Sequence, residues 1–526
     1  MSKRLTLWLA VLLLLIAGAL PVLDMLLRSL FIDGRFTLEA WNGLLADSRQ
    51  WLLMRNSLLL ASLVTLFTFV LGVPLGILLG KTDLPLRRAL TLLFTIPLLI
   101  PPYIVAVAWS GLLQLLAPGG DIAGAWLFGL PGCVLVLSTV FLPIPLLLTQ
   151  VLLRSVDPQM EEAGRLATGW RGVLAGITLP LILPGVLLAA VLVFLLALGE
   201  FSVPNYLRYA VFPVESFTQF SAFYDFSAAT TAALPLAGVA LILVLFEALL
   251  LHRHGWRLHS AGGGIDFLRI PLGRWHGGLL LAVALAGLLF ILLPIGTLTI
   301  QSLGSYGEAL RRAGGSLANS LLFATGGATL LATVGFLIGY LIQTRSLRSW
   351  RAVDTLTLFL LALPGTVIGI GLTGLWNRPL TDIIYATPLI ILIGYLARYI
   401  ALTSRINAAQ LAQIPPSMEE AAQIAGAGWY RRIFFIVIPL AWRGLLASWL
   451  VGYIFSLRDT GITLLVHPAG AETLPVRILT LMANGSPALI AALCVIMIAA
   501  TLVPAGLLWA ILASHRNKRS GEEVLA

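Results

Sequence analysis

Long apolar runs broken by short polar stretches divide this chain into twelve segments. Each is close to the ~20 residues a helix needs to cross a bilayer. They fall near 5–23, 57–80, 89–116, 131–153, 174–199 and 231–251, then 277–300, 319–342, 352–376, 383–403, 433–457 and 486–513. The pattern predicts an all-α polytopic membrane protein with about twelve transmembrane helices. The first run follows Lys3 and Arg4, as a signal peptide's would, but it is longer than a usual signal-peptide core and is read as a retained span.

The segments repeat. Asn56-Ser-Leu-Leu-Leu-Ala opens the second run and Asn319-Ser-Leu-Leu-Phe-Ala the eighth. Each of these runs ends in a basic loop, with Lys81, Arg87 and Arg88 in one case and Arg345, Arg348 and Arg351 in the other. The third and ninth runs carry internal prolines, Pro97 and Pro101-Pro102 against Pro364-Gly365, so both spans are expected to break mid-membrane, where backbone is buried or lines a cavity. The chain therefore reads as two six-span halves of the same orientation, 1–251 and 276–526, joined by a basic linker at 252–275. His252, His254 and His259 in the linker have no carboxylate or cysteine at ligand spacing, so the linker is read as a tether and no metal site is assigned.

Composition narrows the class. The chain is 59% apolar and 11% charged, with a mean hydropathy of +0.98, which excludes a soluble globular protein of this size. Its net charge of +10 suggests nucleic acid until its distribution is considered. With the N-terminus inside, 21 of the 33 lysines and arginines fall in inner segments, Arg398 and Arg443 fall near inner helix ends where they are expected to snorkel, and the other 10 fall on the outer side. That asymmetry orients a membrane protein with both termini in the cytoplasm and needs no nucleic-acid partner. Cys133 and Cys494 lie within apolar runs and read as small hydrophobes. No phosphate-binding GxxxxGK[ST] loop, nucleophile elbow, HExxH or CxxC occurs, so no enzyme activity and no cofactor are expected of this chain itself.

Two part-polar stretches stand apart, 158–180 and 416–439. Pro158 and Pro416 suit a first helical position, Asp157 is placed to cap the first helix, and Ser417 and Glu420 have capping-box spacing in the second. Glu161, Glu162, Glu419 and Glu420 fall near the first turn, where carboxylates favour the helix dipole. Ala163, Gly164, Ala421, Ala422 and Gly426 leave room for another protein to approach. Two such helices at equivalent places read as a docking surface.

The second stretch, with Glu420, Ala421, Ala422, Gly426, Ile436, Ile438 and Pro439, resembles the EAA loop of ABC importer permeases. The first departs from it: Gly164 replaces the second alanine, Thr168 stands where glycine is expected, with Gly169 next, and the run to Pro180 is one residue shorter. Its helix is expected to be kinked or shifted. The whole chain is similar to a type I ABC importer permease with both halves fused. IPLLIPPYIVAVAW (96–109), ALGEFSVPNYL (197–207) and SLRDTGITLLV (456–466) resemble the ferric-iron permeases among these.

The resemblance implies a bacterial inner-membrane subunit that works by alternating access. A separate dimeric ATP-binding subunit would grip the helices bearing Glu161, Glu162, Ala163, Gly164, Gly169, Glu419, Glu420, Ala421, Ala422 and Gly426. A substrate-binding protein would dock on the outer loops near 200–230 and 458–485. Relatives importing thiamine, a phosphonate or a polyamine share this scaffold. A secondary transporter of the major-facilitator type also has twelve spans, but it leaves the paired loops unexplained.

One further pair bears on the path. Glu200 and Asp459 each lie 20 residues after the prolines Pro180 and Pro439, at the expected outer ends of spans five and eleven. They are expected either to form an acidic gate that passes a cation or to cap local backbone and pair with a base such as Arg458.

Overall fold

The computed structural model describes residues 3–32, 35–116, 126–222, 226–254 and 268–525. Among the described residues ten helices are long and apolar enough to cross a membrane, Lys3–Leu30 (α1), Ser48–Lys81 (α2), Leu130–Leu153 (α5), Pro158–Leu198 (α6), Ala228–Glu247, Gly273–Gln301 (α9), Tyr306–Thr344 (α10), Leu389–Leu411 (α13), Trp429–Leu457 (α15) and Pro487–Leu508. The fifth of these, Ala228–Glu247, lies within the longer helix Phe226–His254 (α8), and the last within Pro487–Leu525 (α17). Two bent pairs raise the count to twelve. Arg87–Leu99 (α3) and Pro102–Leu116 (α4) meet at 104°, and Trp350–Ala362 (α11) and Gly365–Trp376 (α12) meet at 106°. The breaks fall at the internal prolines, whose missing N–H and ring prevent the helix from continuing. Shorter helices used below are Phe212–Ser221 (α7), Pro416–Ile424 (α14) and Leu474–Leu481 (α16). A two-stranded ribbon pairing Phe31 with Phe36 is the exception to the helical plan among the described residues.

Four wide π turns interrupt the helices, at Leu15–Ala19, Leu174–Thr178, Leu288–Leu292 and Ile433–Val437. Each ends two residues before a proline: Pro21, Pro180, Pro294 or Pro439. A proline ring collides with the carbonyl four residues earlier, and a wide turn moves that carbonyl aside without ending the helix. The turns come in repeat-related pairs, in spans one and seven and in spans five and eleven. The wide turns before Pro180 and Pro439 thus keep spans five and eleven continuous past their prolines.

By packing, the chain divides into one unit of residues 1–46, 215–238 and 304–526 and another of 47–214 and 239–303. The boundaries expected at 251 and 276 therefore mark the sequence repeat, not the packing units. The first span goes with the second half: a Cβ on Gly18 would lie 2.4 Å from Leu360 Cδ1, and one on Gly371 2.9 Å from Met25 Sδ. The seventh span goes with the first half, where Gly287 abuts Leu93 and Gln301 donates to the Gly111 carbonyl at 3.3 Å. The tenth span starts later than expected, because Asp382–Tyr385 is a separate turn ahead of α13.

Within each unit a long helix carries a glycine seam. Gly72 and Gly76 of α2 press on α5, and Gly335 and Gly339 of α10 press on α13. Apolar side chains gain little by leaving lipid, so close backbone contact does the holding. A Cβ on Gly339 would lie 2.6 Å from the Ser404 carbonyl oxygen, which is backbone and cannot step aside. Gly339→Val is expected to cost about 1–3 kcal/mol, seen as a lowered melting midpoint in detergent. Gly277→Ala, with nothing within 4 Å of its added carbon, should leave that midpoint unchanged.

The linker re-enters the described region beside α2. Ile270 bridges to Thr82, and the Leu272 amide donates to Asp83 Oδ1 at 3.0 Å. His259 lies outside the described residues.

Candidate functional site

The first candidate docking helix is the opening of α6, Pro158–Val173. Asp157 caps it, accepting from the Gln159 amide at 2.9 Å. Its two glutamates part company. Glu161 is fully buried and paired with the equally buried Lys81 at the end of α2, and it also accepts from Thr178 Oγ1 at 2.9 Å. Glu162 and Ala163 face outward. Gly164 is half-buried, and a Cβ there would meet the tip of Ile177 at 2.4 Å. The helix kinks at Gly169, where φ is 69°. That residue takes the left-handed turn that Thr168 cannot adopt cheaply, one position later than in the second copy.

The second docking helix, α14, repeats the division. Glu419 turns inward, accepting from Tyr340 Oη at 2.8 Å and Arg432 Nε at 3.4 Å. Trp429 Nε1 donates to Tyr340 Oη at 3.3 Å, and Arg432 Nη1 to the Ala427 carbonyl at 2.9 Å. Glu420 and Ala421 are exposed and Ala422 is half-buried. Gly426 ends the helix with φ 83°. The expected capping box does not form. Extended Pro415 takes the cap position and Pro416 the first turn, so Ser417 already lies inside the helix. A cavity of about 360 Å³ lies beneath this helix, lined in part by Lys3, Tyr340, Gln343, Glu419, Glu420 and Gln423. The Lys3 ammonium sits 5.0 Å from the centre of the Tyr340 ring.

The same geometry brings forward residues that the charge pattern did not reveal. Leu166 is 92% exposed and Ile424 87%, each one helical turn after the outward glutamate. Met160 and Met418 are half exposed at equivalent places, two residues before the outward glutamate. Their signal in the sequence is an apolar residue four positions after Glu162 or Glu420, on a segment otherwise polar.

The two path candidates are engaged locally. Glu200 is half-buried and turned onto Ser202, accepting from its amide at 2.9 Å and from its hydroxyl. Asp459 has no exposed side-chain surface. It accepts from Arg398 Nη1 at 3.0 Å, Tyr399 Oη at 2.6 Å, the Ile462 and Thr463 amides at 3.0 and 3.1 Å, and Thr463 Oγ1 at 3.1 Å. Of the two expectations for this pair, local capping is the one these contacts support at Asp459, whose carboxylate accepts from five donors. Its basic partner is Arg398, at mid-length of α13, not Arg458, which lies over the Phe455 ring. Arg398 is thus held by an ion pair instead of snorkelling at a helix end. Asp459→Asn with Glu200→Gln is expected to lower the melting midpoint, and Asp459→Asn alone should account for most of the fall.

Cys133 and Cys494 are buried and unpaired, and no group of three or more His, Cys, Asp or Glu suited to a metal occurs among the described residues.

The family described as binding-protein-dependent transport system inner membrane component matches residues 72–254 and 333–518, once in each half. The chain is similar to FbpB 1 of Haemophilus influenzae, 26% identical over 489 residues, covering 86% of this chain and 75% of that one. It is 25% identical over 487 residues to the ferric transport system permease protein FbpB of Actinobacillus pleuropneumoniae, covering 85% of this chain and 69% of that one. A molybdenum transport system permease protein, ModB of Escherichia coli, is 33% identical over 164 residues, 29% of this chain and 69% of its own. With the family matched in both halves, this chain belongs to the inner membrane components of binding-protein-dependent transport systems.

Proposed function

We propose that this chain is the fused permease subunit of an ATP-driven importer that carries ferric iron across the bacterial inner membrane. The observation that carries the reading is the paired docking helix: in each half one glutamate is tied to the body, while its neighbour and an exposed apolar side chain face outward. That is the arrangement a partner needs in order to pull on a span through a rigid handle. ATP hydrolysis belongs to a separate dimeric subunit gripping Glu162, Ala163, Leu166 and Glu420, Ala421, Ile424. Glu161, Gly164, Gly169, Glu419, Ala422 and Gly426 shape and anchor the two handles.

Both termini and the docking helices face the cytoplasm, in keeping with the basic loops. A loaded binding protein docks on the opposite face. Its arrival and ATP-driven closure favour an outward-open state, and hydrolysis returns the inward one. Each partner shifts the balance only by its differential affinity for the two states. Ferric iron as substrate is supported by the relatives that cover most of the chain. Molybdenum, named for a relative that covers under a third of it, is the second reading.

The test is to reconstitute the permease with its ATP-binding subunit and to add binding proteins loaded with ferric iron, a phosphonate or molybdate. Stimulated ATP turnover with the ferric-loaded protein alone is the expected result. Stimulation by the molybdate-loaded protein instead would reassign the substrate, and stimulation by none would overturn the importer reading.

A further inference from the structure

The repeated Asn-Ser pair at the head of the second and eighth spans does the same work in both units. Asn56 donates to the Ala210 carbonyl at 3.0 Å, and Ser57 Oγ accepts from the Phe212 amide at 2.9 Å. Asn319 donates to the Gly470 and Glu472 carbonyls at 3.0 and 3.1 Å, and Ser320 Oγ accepts from the Leu474 amide at 2.6 Å. Phe212 and Leu474 are the first residues of α7 and α16. Each serine therefore caps a short helix from another segment, satisfying an amide that has no partner within its own helix. Both serines are buried, as are Phe212 and Leu474.

The other end of each long helix holds a docking segment. Lys81 ends α2 and pairs with Glu161, and Tyr340 lies one turn from the end of α10 and bonds Glu419. A single unbroken helix thus links a clamped loop to a docking helix in each unit. The span is about 36 Å from Ser57 to Lys81 and about 30 Å from Ser320 to Tyr340, at ~1.5 Å per residue. Two independent copies of this double attachment, with different side chains at the docking end, argue against an accident of packing.

We propose that α2 and α10 are rods that transmit docking of the binding protein on loops 207–212 and 470–474 to the ATP-binding subunit, with Asn56, Ser57, Asn319 and Ser320 as positioning residues. The proposal rests on the importer reading above. Its physical content is that the clamp fixes where each loop lies relative to the rod, so a push on the loop moves the docking helix instead of being absorbed in the turn. Coupling of this kind is reciprocal, so the state of the ATP-binding subunit must also alter affinity for the binding protein.

The experiment uses the complete reconstituted complex and the four-residue variant Asn56→Ala, Ser57→Ala, Asn319→Ala, Ser320→Ala. ATP turnover is measured without binding protein and with increasing ferric-loaded binding protein. The proposal expects unstimulated turnover within about twofold of the unaltered complex, half-saturation within about twofold, and maximal stimulation reduced at least fivefold. Full stimulation at saturation would overturn it, since clamps that merely shape the docking surface raise half-saturation and spare the maximum. If the four-residue variant does not assemble, Ser57→Ala and Ser320→Ala singly remove one hydroxyl each. Maximal stimulation should then fall about twofold or more in each, and unchanged stimulation in both would overturn the proposal. Failure of stimulation in the unaltered complex is a separate result that overturns the importer reading itself, and the rods with it.

Discussion

Glu161→Ala is expected to release the first docking helix from α2 and to abolish transport, although the residue faces away from any partner. The substitution leaves Lys81 charged and buried, 3% exposed, with its carboxylate partner gone, and it strands the Thr178 hydroxyl. Removing one member of a buried ion pair costs about 3–5 kcal/mol, because the charge left behind is unsolvated. The measurements are the melting midpoint of the purified protein and proteolysis across 158–173, which should fall and accelerate respectively. Replacing both partners, Lys81→Met with Glu161→Met, should recover most of the midpoint, since a buried pair adds little over apolar residues of similar size. The equivalent change Glu419→Ala should be milder, about 1 kcal/mol, because Glu419 keeps 24% of its side chain in solvent and its arginine lies 3.4 Å away.

Ile424→Asp combined with Glu420→Lys is expected to lose the ATP-binding subunit while leaving the permease folded. Both side chains are exposed and one turn apart, so neither holds the fold together. Ile424, 87% exposed at the end of a part-polar helix, is the side chain best placed to anchor the interface, and losing such an anchor costs about 2 kcal/mol or more. Co-purification of the ATP-binding subunit should drop at least tenfold with the melting midpoint of the permease unchanged. Leu166→Asp with Glu162→Lys should have a smaller effect, because the first helix carries the shifted turn at Gly169. Normal co-purification of the second-helix variant would remove α14 from the interface.

Much of this was legible in the sequence. Twelve apolar runs at bilayer length mark the spans, and the prolines at 97, 101, 102 and 364 mark the two broken ones. The docking helices were legible because acidic and small residues recur between apolar runs at matched places. What local pattern could not separate is which of two adjacent glutamates is buried. Neighbours on a helix point about 100° apart, and the choice between Glu161 and Glu162 is made by Lys81, 80 positions away. The partners of Asp459 were hidden for a similar reason: matched spacing from Pro439 locates the residue, while Arg398 and Tyr399 come from another span. The exchange of the first and seventh spans between packing units was hidden too. It depends on contacts such as Gly18 on Leu360, which no periodicity records. The displaced glycine of the first docking stretch was visible as Thr168-Gly169, and its consequence is the kink at φ 69°.

Import is measured most directly as uptake of radioactive ferric iron into vesicles containing this chain and its ATP-binding subunit, with the ferric-loaded binding protein supplied on the outward face. The account predicts uptake that requires ATP, the binding protein and the ATP-binding subunit together, and that disappears in the Ile424→Asp, Glu420→Lys variant. Uptake that persists without ATP or without the ATP-binding subunit, driven by an ion gradient alone, would contradict it.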